Sequence, residues 1–422
     1  MTRPSRSART GPRPTAAALT YALRRGVAGC VVLLLCSAAA RATPSSEAPA
    51  SLLVFPLISV DATANVDTVV QLSNLGDDPQ PVRCVYVDGS LAPNSSAAFQ
   101  FTLTAAQPLQ WRASQGLAAL PIAGMNSGAV ATVPVVPFSG TLRCVATTAD
   151  GTPAPSDALI GVATIESGSP AIDSASYAAV GFAATGSSAD APEVLVLGGA
   201  QAEYAACPAE VALQPLLDGA LIELGTAPGV QRETATTLAI ATCSSAPSGG
   251  GAQATVTLLL TTELGQEFSL ARGVRELLVS DLSRLDTNVP RQSIFNSANA
   301  GAPNGSLRIT ANSPGSAVLA VALTAYVDPA HTATAHRVAL QTQMNGDRDL
   351  PDLVDLGLPA PPSCPGDCNG DSEVAINELI VGVNIALGTS PLSTCPAFDS
   401  SGDGSVTINE LIAAVNAALT GC

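Results

Sequence analysis

The residues best suited to chemistry lie near the C-terminus, in two twelve-residue segments. The first reads Asp367-Cys368-Asn369-Gly370-Asp371-Ser372-Glu373-Val374-Ala375-Ile376-Asn377-Glu378. Beginning 32 residues later, Asp399-Ser400-Ser401-Gly402-Asp403-Gly404-Ser405-Val406-Thr407-Ile408-Asn409-Glu410 aligns with it position by position. Each segment offers side-chain oxygens at positions 1, 3 and 5, a backbone carbonyl at 7 and a carboxylate at 12 that can give two oxygens. That all-oxygen set surrounds a hard cation such as Ca²⁺. The pattern assigns as ligands Asp367, Asn369, Asp371, Glu373 (by its carbonyl) and Glu378, then Asp399, Ser401, Asp403, Ser405 (by its carbonyl) and Glu410. Residues 364–422 hold seven acids and no basic residue, and two Ca²⁺ ions would bring that charge from −7 to −3. Two positions weaken the pattern. Ser372 stands where position 6 normally has Gly, at a cost of about 1 kcal/mol for a positive φ, and Ser401 is a poorer ligand than Asp or Asn.

Beyond each loop an apolar set recurs at helical spacing: Ile376, Leu379, Ile380, Val383 and Leu387, then Ile408, Leu411, Ile412, Val415 and Leu419. Each loop is therefore expected to feed one amphipathic helix, and the two helices to bury those faces against each other. Helices entering the loops are excluded by Pro361, Pro362 and Pro365 before the first and Pro396 before the second. A tandem of loop and exiting helix, without entering helices and behind a Pro-rich stretch, resembles the dockerin family of extracellular proteins. The resemblance covers about 59 of the 422 residues. It implies two bound Ca²⁺ ions, folding coupled to calcium, and docking through 364–422 onto a cohesin-like or other extracellular protein. A module this small has little core, so metal and disulfides are expected to supply much of its stability. Cys364, Cys368, Cys395 and Cys422 allow three pairings between them.

Upstream of the tail, from about residue 51 to 345, short runs rich in Val, Thr, Ile and Leu alternate with Gly, Pro, Asn, Asp and Ser clusters. Leu52–Val60, Val82–Val87, Ala129–Val136 and Val318–Tyr326 are examples. Such runs predict a mainly β chain of one or two antiparallel, Ig-like β-sandwich domains, followed by the small all-α calcium module. The expected divisions are a signal peptide over 1–42, sandwich domains over 43–202 and 203–350 with a seam near Gly198 to Pro208, a Pro-rich linker over 351–363, and the module over 364–422. Cys84 with Cys144 and Cys207 with Cys243 would each staple one domain. Arg272 to Leu285 is the one stretch with a near-helical apolar face, although it fits two strands equally well.

Little in this region resembles a catalytic site. His331 and His336 are the chain's two histidines, and no Gly-x-Ser-x-Gly elbow accompanies them, so a Thr- and Ala-rich turn is the simpler reading. Glu166, Asp190, Glu193 and Glu203 could serve a glycosidase, but no sequence spacing pairs them. Trp111, the only Trp, lies between Leu109 and Arg112 and is expected in the core rather than under a sugar. Asn345-Gly346-Asp347-Arg348-Asp349 reads as a loop. Cys364-x3-Cys368 lacks the His or second Cys pair of a zinc site.

Seven of the eighteen basic residues, all Arg, fall within the first 41 residues, ahead of the first acid, Glu47. An apolar run from Gly26 to Ala40 follows, too short to span a bilayer, and then Ala40-Arg41-Ala42, the pattern of a signal-peptidase site. Cleavage there would leave 11 basic against 34 acidic residues, a net −23 that repels nucleic acid and anionic membrane. Export to an oxidising compartment suits the eight remaining cysteines. The resulting expectation is a secreted or cell-surface, non-catalytic protein with no membrane span in the mature chain. The alternative is a secreted polysaccharide-degrading enzyme delivered by the dockerin-like tail.

Overall fold

Every residue of the strand Leu52–Val60 except Ser59 is buried, because the two faces of the strand feed different cores. Leu53 and Phe55 enter one core, Leu52 and Val54 another. A strand covered on both sides reads as a continuous apolar run rather than an alternation, and Leu52-Leu53-Val54-Phe55 is such a run. Val318–Val327 repeats the arrangement: Val318, Ala320 and Ala322 face one core and Leu319 another. Solvent-facing strands alternate instead, as in Ser96–Leu103, where Phe99 and Phe101 are buried and Gln100 is exposed.

The computed structural model describes residues 44–90, 96–118, 128–149, 151–168, 173–186, 194–223, 231–244, 253–312, 317–327, 334–338, 341–344, 352–355, 365–368, 374–398 and 406–420. These residues are mainly β, in antiparallel sheets. The first sheet runs Ser96–Leu103, Gln80–Asp88, Phe138–Ala146, Leu52–Val60, Val180–Phe182. The second runs Pro108–Arg112, Val66–Asn74, Leu159–Ser167, Asp173–Ala178. In the third the order is Glu267–Arg275, Gln253–Thr262, Gly305–Ala311, Glu210–Leu213, Gln341–Met344. The fourth runs Leu221–Glu223, Gln231–Thr242, Val318–Val327, Thr334–Val338, with Leu277–Asp281 also paired to Gln231–Thr242. Val194–Leu197 and Asp352–Asp355 make a two-stranded ribbon.

The first and second sheets share one core, around Phe55, Tyr86, Phe101 and Trp111, and the third and fourth share another, around Leu258, Phe295 and Ile309. A third core joins the opposite face of the first sheet to the ribbon and to Leu319 of the fourth. The result is a propeller-like disposition of four sheets rather than a clear Ig sandwich. The anticipated cysteine staples are present, Cys84 to Cys144 and Cys207 to Cys243. Trp111 is buried as expected and donates its Nε1–H to the Tyr86 hydroxyl at 2.8 Å.

Several expectations need correction. Around the predicted seam, Tyr204, Ala205 and Cys207 are buried in the third core. Residues 352–355, assigned to the linker, pair as a strand with Val194–Leu197. Ala129–Val136 forms no strand; only Val130 makes an isolated bridge, to Leu117. Of the two readings of Arg272 to Leu285, the structure takes the two strands and not the helix. One strand ends at Arg275, Glu276 turns the chain at φ 54°, and Leu277–Asp281 begins the next. The apparent helical period there came from two strands joined by a left-handed residue. His336 lies on the strand Thr334–Val338. His331, Asn345 to Asp349, the expected signal peptide and the rest of the expected linker fall outside the described residues.

Candidate metal centre

The tail contains two helices, Ile376–Ala386 and Ile408–Thr420, each starting at the tenth position of one acidic segment. The residue before the first is Ala375, which has no side-chain oxygen to cap the free N–H groups of the opening turn. Glu378 takes part of that role. Its Oε2 accepts the Ala375 N–H at 2.8 Å, and its Oε1 accepts the Cys368 N–H at 2.9 Å. The carboxylate at position 12 is thereby folded back across its own segment, from position 9 to position 2. The second copy repeats the turn: Glu410 Oε2 accepts the Thr407 N–H at 2.7 Å and the Thr407 hydroxyl at 2.9 Å.

Glu378 and Glu410 are only 4% and 5% exposed, and Asp367 at the head of the first segment is 9% exposed. Buried carboxylates need charge compensation as well as hydrogen bonds, and residues 364–422 contain no Lys, Arg or His to supply it. Hard oxygen donors held near backbone N–H groups, with no side-chain cation in the sequence around them, fit a divalent cation of the calcium type. The other seven expected ligands, Asn369, Asp371, Glu373, Asp399, Ser401, Asp403 and Ser405, lie outside the described residues. Among the described residues no three His, Cys, Asp or Glu side chains cluster as a metal site.

The small core of the tail is built around Phe398, with Ile385, Cys395 and Ala414, and Cys368 is bonded to Cys395. Gly382 brings the first helix against the Phe398 ring so closely that a Cβ would lie 2.2 Å from its Cε1. Gly366, at φ 97°, passes Ala414 and the same ring.

This packing reverses the face expected from the sequence. The helices bury Glu378, Gly382 and Ile385, and Glu410 and Ala414. Ile376, Ile380, Val383 and Leu387 instead point outward, and so do Ile408, Ile412, Val415 and Leu419, at 42% to 78% exposure. Leu379 and Leu411 alone of the expected faces pack against the core, and only in part. Periodicity located the apolar stripes correctly but not the side they face. The available clue was the run of small or acidic residues, Glu378 with Gly382 and Glu410 with Ala414, on the opposite side of each helix.

The described carboxylates considered for glycosidase chemistry are held separately. Glu166 pairs with Arg112 at 2.7 Å, and Glu203 accepts the Val196 N–H at 2.8 Å. Asp190 and Glu193 lie outside the described residues. Compared with known proteins, the chain matches no protein-family model and no curated protein.

Proposed function

We propose that this is an exported, non-catalytic protein whose dockerin-like C-terminal module binds two Ca²⁺ ions and docks to another extracellular or surface protein. The propeller-like β-sheet region, behind a signal peptide, is then what the module tethers. The observation that carries the reading is the duplicated apolar stripe: four outward residues at i, i+4, i+7 and i+11 on one helix, repeated 32 residues later on the other. Exposed apolar side chains in register on paired helices mark a surface that a partner covers. Glu378 and Glu410, turned back onto the residues that precede their helices, support calcium as the ion that fixes those helices. Three disulfides among the described residues, with no helix long and apolar enough to cross a membrane, are compatible with an extracellular setting.

The test is affinity capture of extracellular proteins from the source organism, with the intact chain as bait, in Ca²⁺ and in chelator. One partner retained in Ca²⁺, released by chelator and lost with Ile380→Asp and Ile412→Asp together is the expected result. A partner captured equally in chelator, or unaffected by both substitutions, would remove the docking role from this surface.

A further inference from the structure

Where the first sheet meets the strand Leu277–Asp281, two spaces lie side by side and share lining residues. The outer is a groove of about 720 Å³ lined by Val60, Asp61, Asp88, Val135, Phe138 and the shared wall described below. The inner is a narrower cavity of about 190 Å³ walled by Leu57, Ile165, Ala175, Leu323 and Ala325. Ser59, Ser139 and Val279 line both. The elements meet closely here: Gly89 donates its N–H to Ser139 at 2.9 Å, and a Cβ on Gly89 would lie 2.9 Å from that of Leu277.

The two spaces differ in chemistry. The inner walls are apolar apart from serine and threonine hydroxyls. Its volume suits a single ring or a branched alkyl group, since an apolar cavity of about 150 Å³ is known to hold benzene. The outer groove carries two carboxylates, and none of its described lining residues is Lys, Arg or His. Asp61 is the better placed of the two for a ligand. Its Oδ1 accepts the Thr63 hydroxyl at 2.7 Å and the N–H groups of Thr63 and Ala64 at 2.8 and 3.2 Å, which hold the carboxyl below the usual carboxylate range. No bond within the protein engages its Oδ2 among the described residues. Asp88 is buried and turned onto Ser90, so it contributes mainly field.

We propose that the groove and cavity form one binding site for an organic cation carrying a ring-sized apolar group, with its ammonium or guanidinium at Asp61 and its apolar end among Leu57, Ile165 and Ala175. A charge-assisted hydrogen bond fixes one end, and apolar burial selects the other. An anion of the same shape meets two carboxylates and no donor side chain of opposite charge. The site is independent of the tail and of its metal.

The test is titration calorimetry on the intact chain with 2-phenylethylammonium, and with 3-phenylpropanoate as the anion of matching shape. The expected result is saturable one-to-one binding of the ammonium, at least about tenfold tighter than any binding of the carboxylate. Asp61→Asn keeps an oxygen for the Thr63 and Ala64 donors, so its turn survives, and it should weaken the ammonium about tenfold. Ala175→Phe and, separately, Ala325→Leu fill the inner cavity and should abolish binding. Whichever keeps an unfolding midpoint close to that of the parent is the one read. Absence of saturable binding, equal affinity for cation and anion, or undiminished binding in a folded cavity-filling variant overturns the site.

Discussion

Arg143 and Glu276 face each other in the interior where the first sheet meets the later half of the chain, Nη2 standing 3.6 Å from Oε2 with the two side chains 0% and 1% exposed. The same Nη2 donates to the Thr242 carbonyl at 3.3 Å. Burial lowers the pKa of the Arg143 guanidinium, and the charge of Glu276 opposes that shift. Removing one member leaves a buried charge without its counter-charge. Glu276→Gln should therefore cost about 3 to 5 kcal/mol in denaturant unfolding, whereas replacing both residues by Met should cost far less. A cost below about 1 kcal/mol for Glu276→Gln alone would mean that the guanidinium finds its charge balance elsewhere.

Asp218 is a second buried group with a measurable signature. Its Oδ1 accepts the Thr236 N–H at 2.6 Å and its Oδ2 the Ser283 N–H at 2.9 Å, yet burial outweighs these bonds and raises its pKa above the ordinary 3.8. A carboxyl that is more basic folded than unfolded contributes stability below the unfolded value. That contribution is lost as pH rises through the folded value. Asp218→Asn does not titrate, so its destabilisation relative to the parent should be larger near pH 3 than near pH 7, read as paired urea midpoints. An equal or larger cost at neutral pH would reverse the assigned direction.

Strand positions were legible in the sequence where β-branched and leucine runs were bounded by turn residues: Leu52–Val60 matches residue for residue, and Val318–Tyr326 falls one residue short of its strand. Pairing was not legible. Val194–Leu197 bonds to a segment more than 150 residues away, in what reads locally as a linker, because strand partnership depends on register across the fold rather than on local composition. The tail shows the same division. The two helices followed from spacing, but the buried face was set by the contact of Gly382 with Phe398, which no period of apolar residues encodes. The groove beside Asp61 gathers residues from opposite ends of the β region, so no linear motif announces it.

The contact between Gly382 and Phe398 inverts an ordinary rule. Gly to Ala inside a helix normally stabilises by about 1 kcal/mol. Here the added methyl meets Cε1, Cζ and Cδ1 of the ring at 2.2 to 2.6 Å, so Gly382→Ala should destabilise the tail by about 1 to 3 kcal/mol through overpacking. The helical signal of the tail, followed through thermal unfolding of the intact chain, checks the sign. A stabilised variant would mean that Phe398 has room to swing aside.

Calcium linkage is the sharpest test of the tail. If Glu378 and Glu410 complete two ion sites, free Ca²⁺ at about a hundredfold above the dissociation constant should stabilise the folded tail by about 2.7 kcal/mol per site, and chelator should remove that gain. Glu378→Gln keeps an oxygen for one of its two N–H partners, the Ala375 or the Cys368 amide, but loses a charged donor. Some stability is therefore lost without metal, and the absolute unfolding midpoint does not discriminate. The calcium dependence of the midpoint does. It should fall by roughly half in Glu378→Gln or Glu410→Gln and vanish when both are changed, because each carboxylate serves its own loop. A midpoint that rises equally with Ca²⁺ in the parent and the double variant would place the ion elsewhere and leave the two glutamates as helix caps.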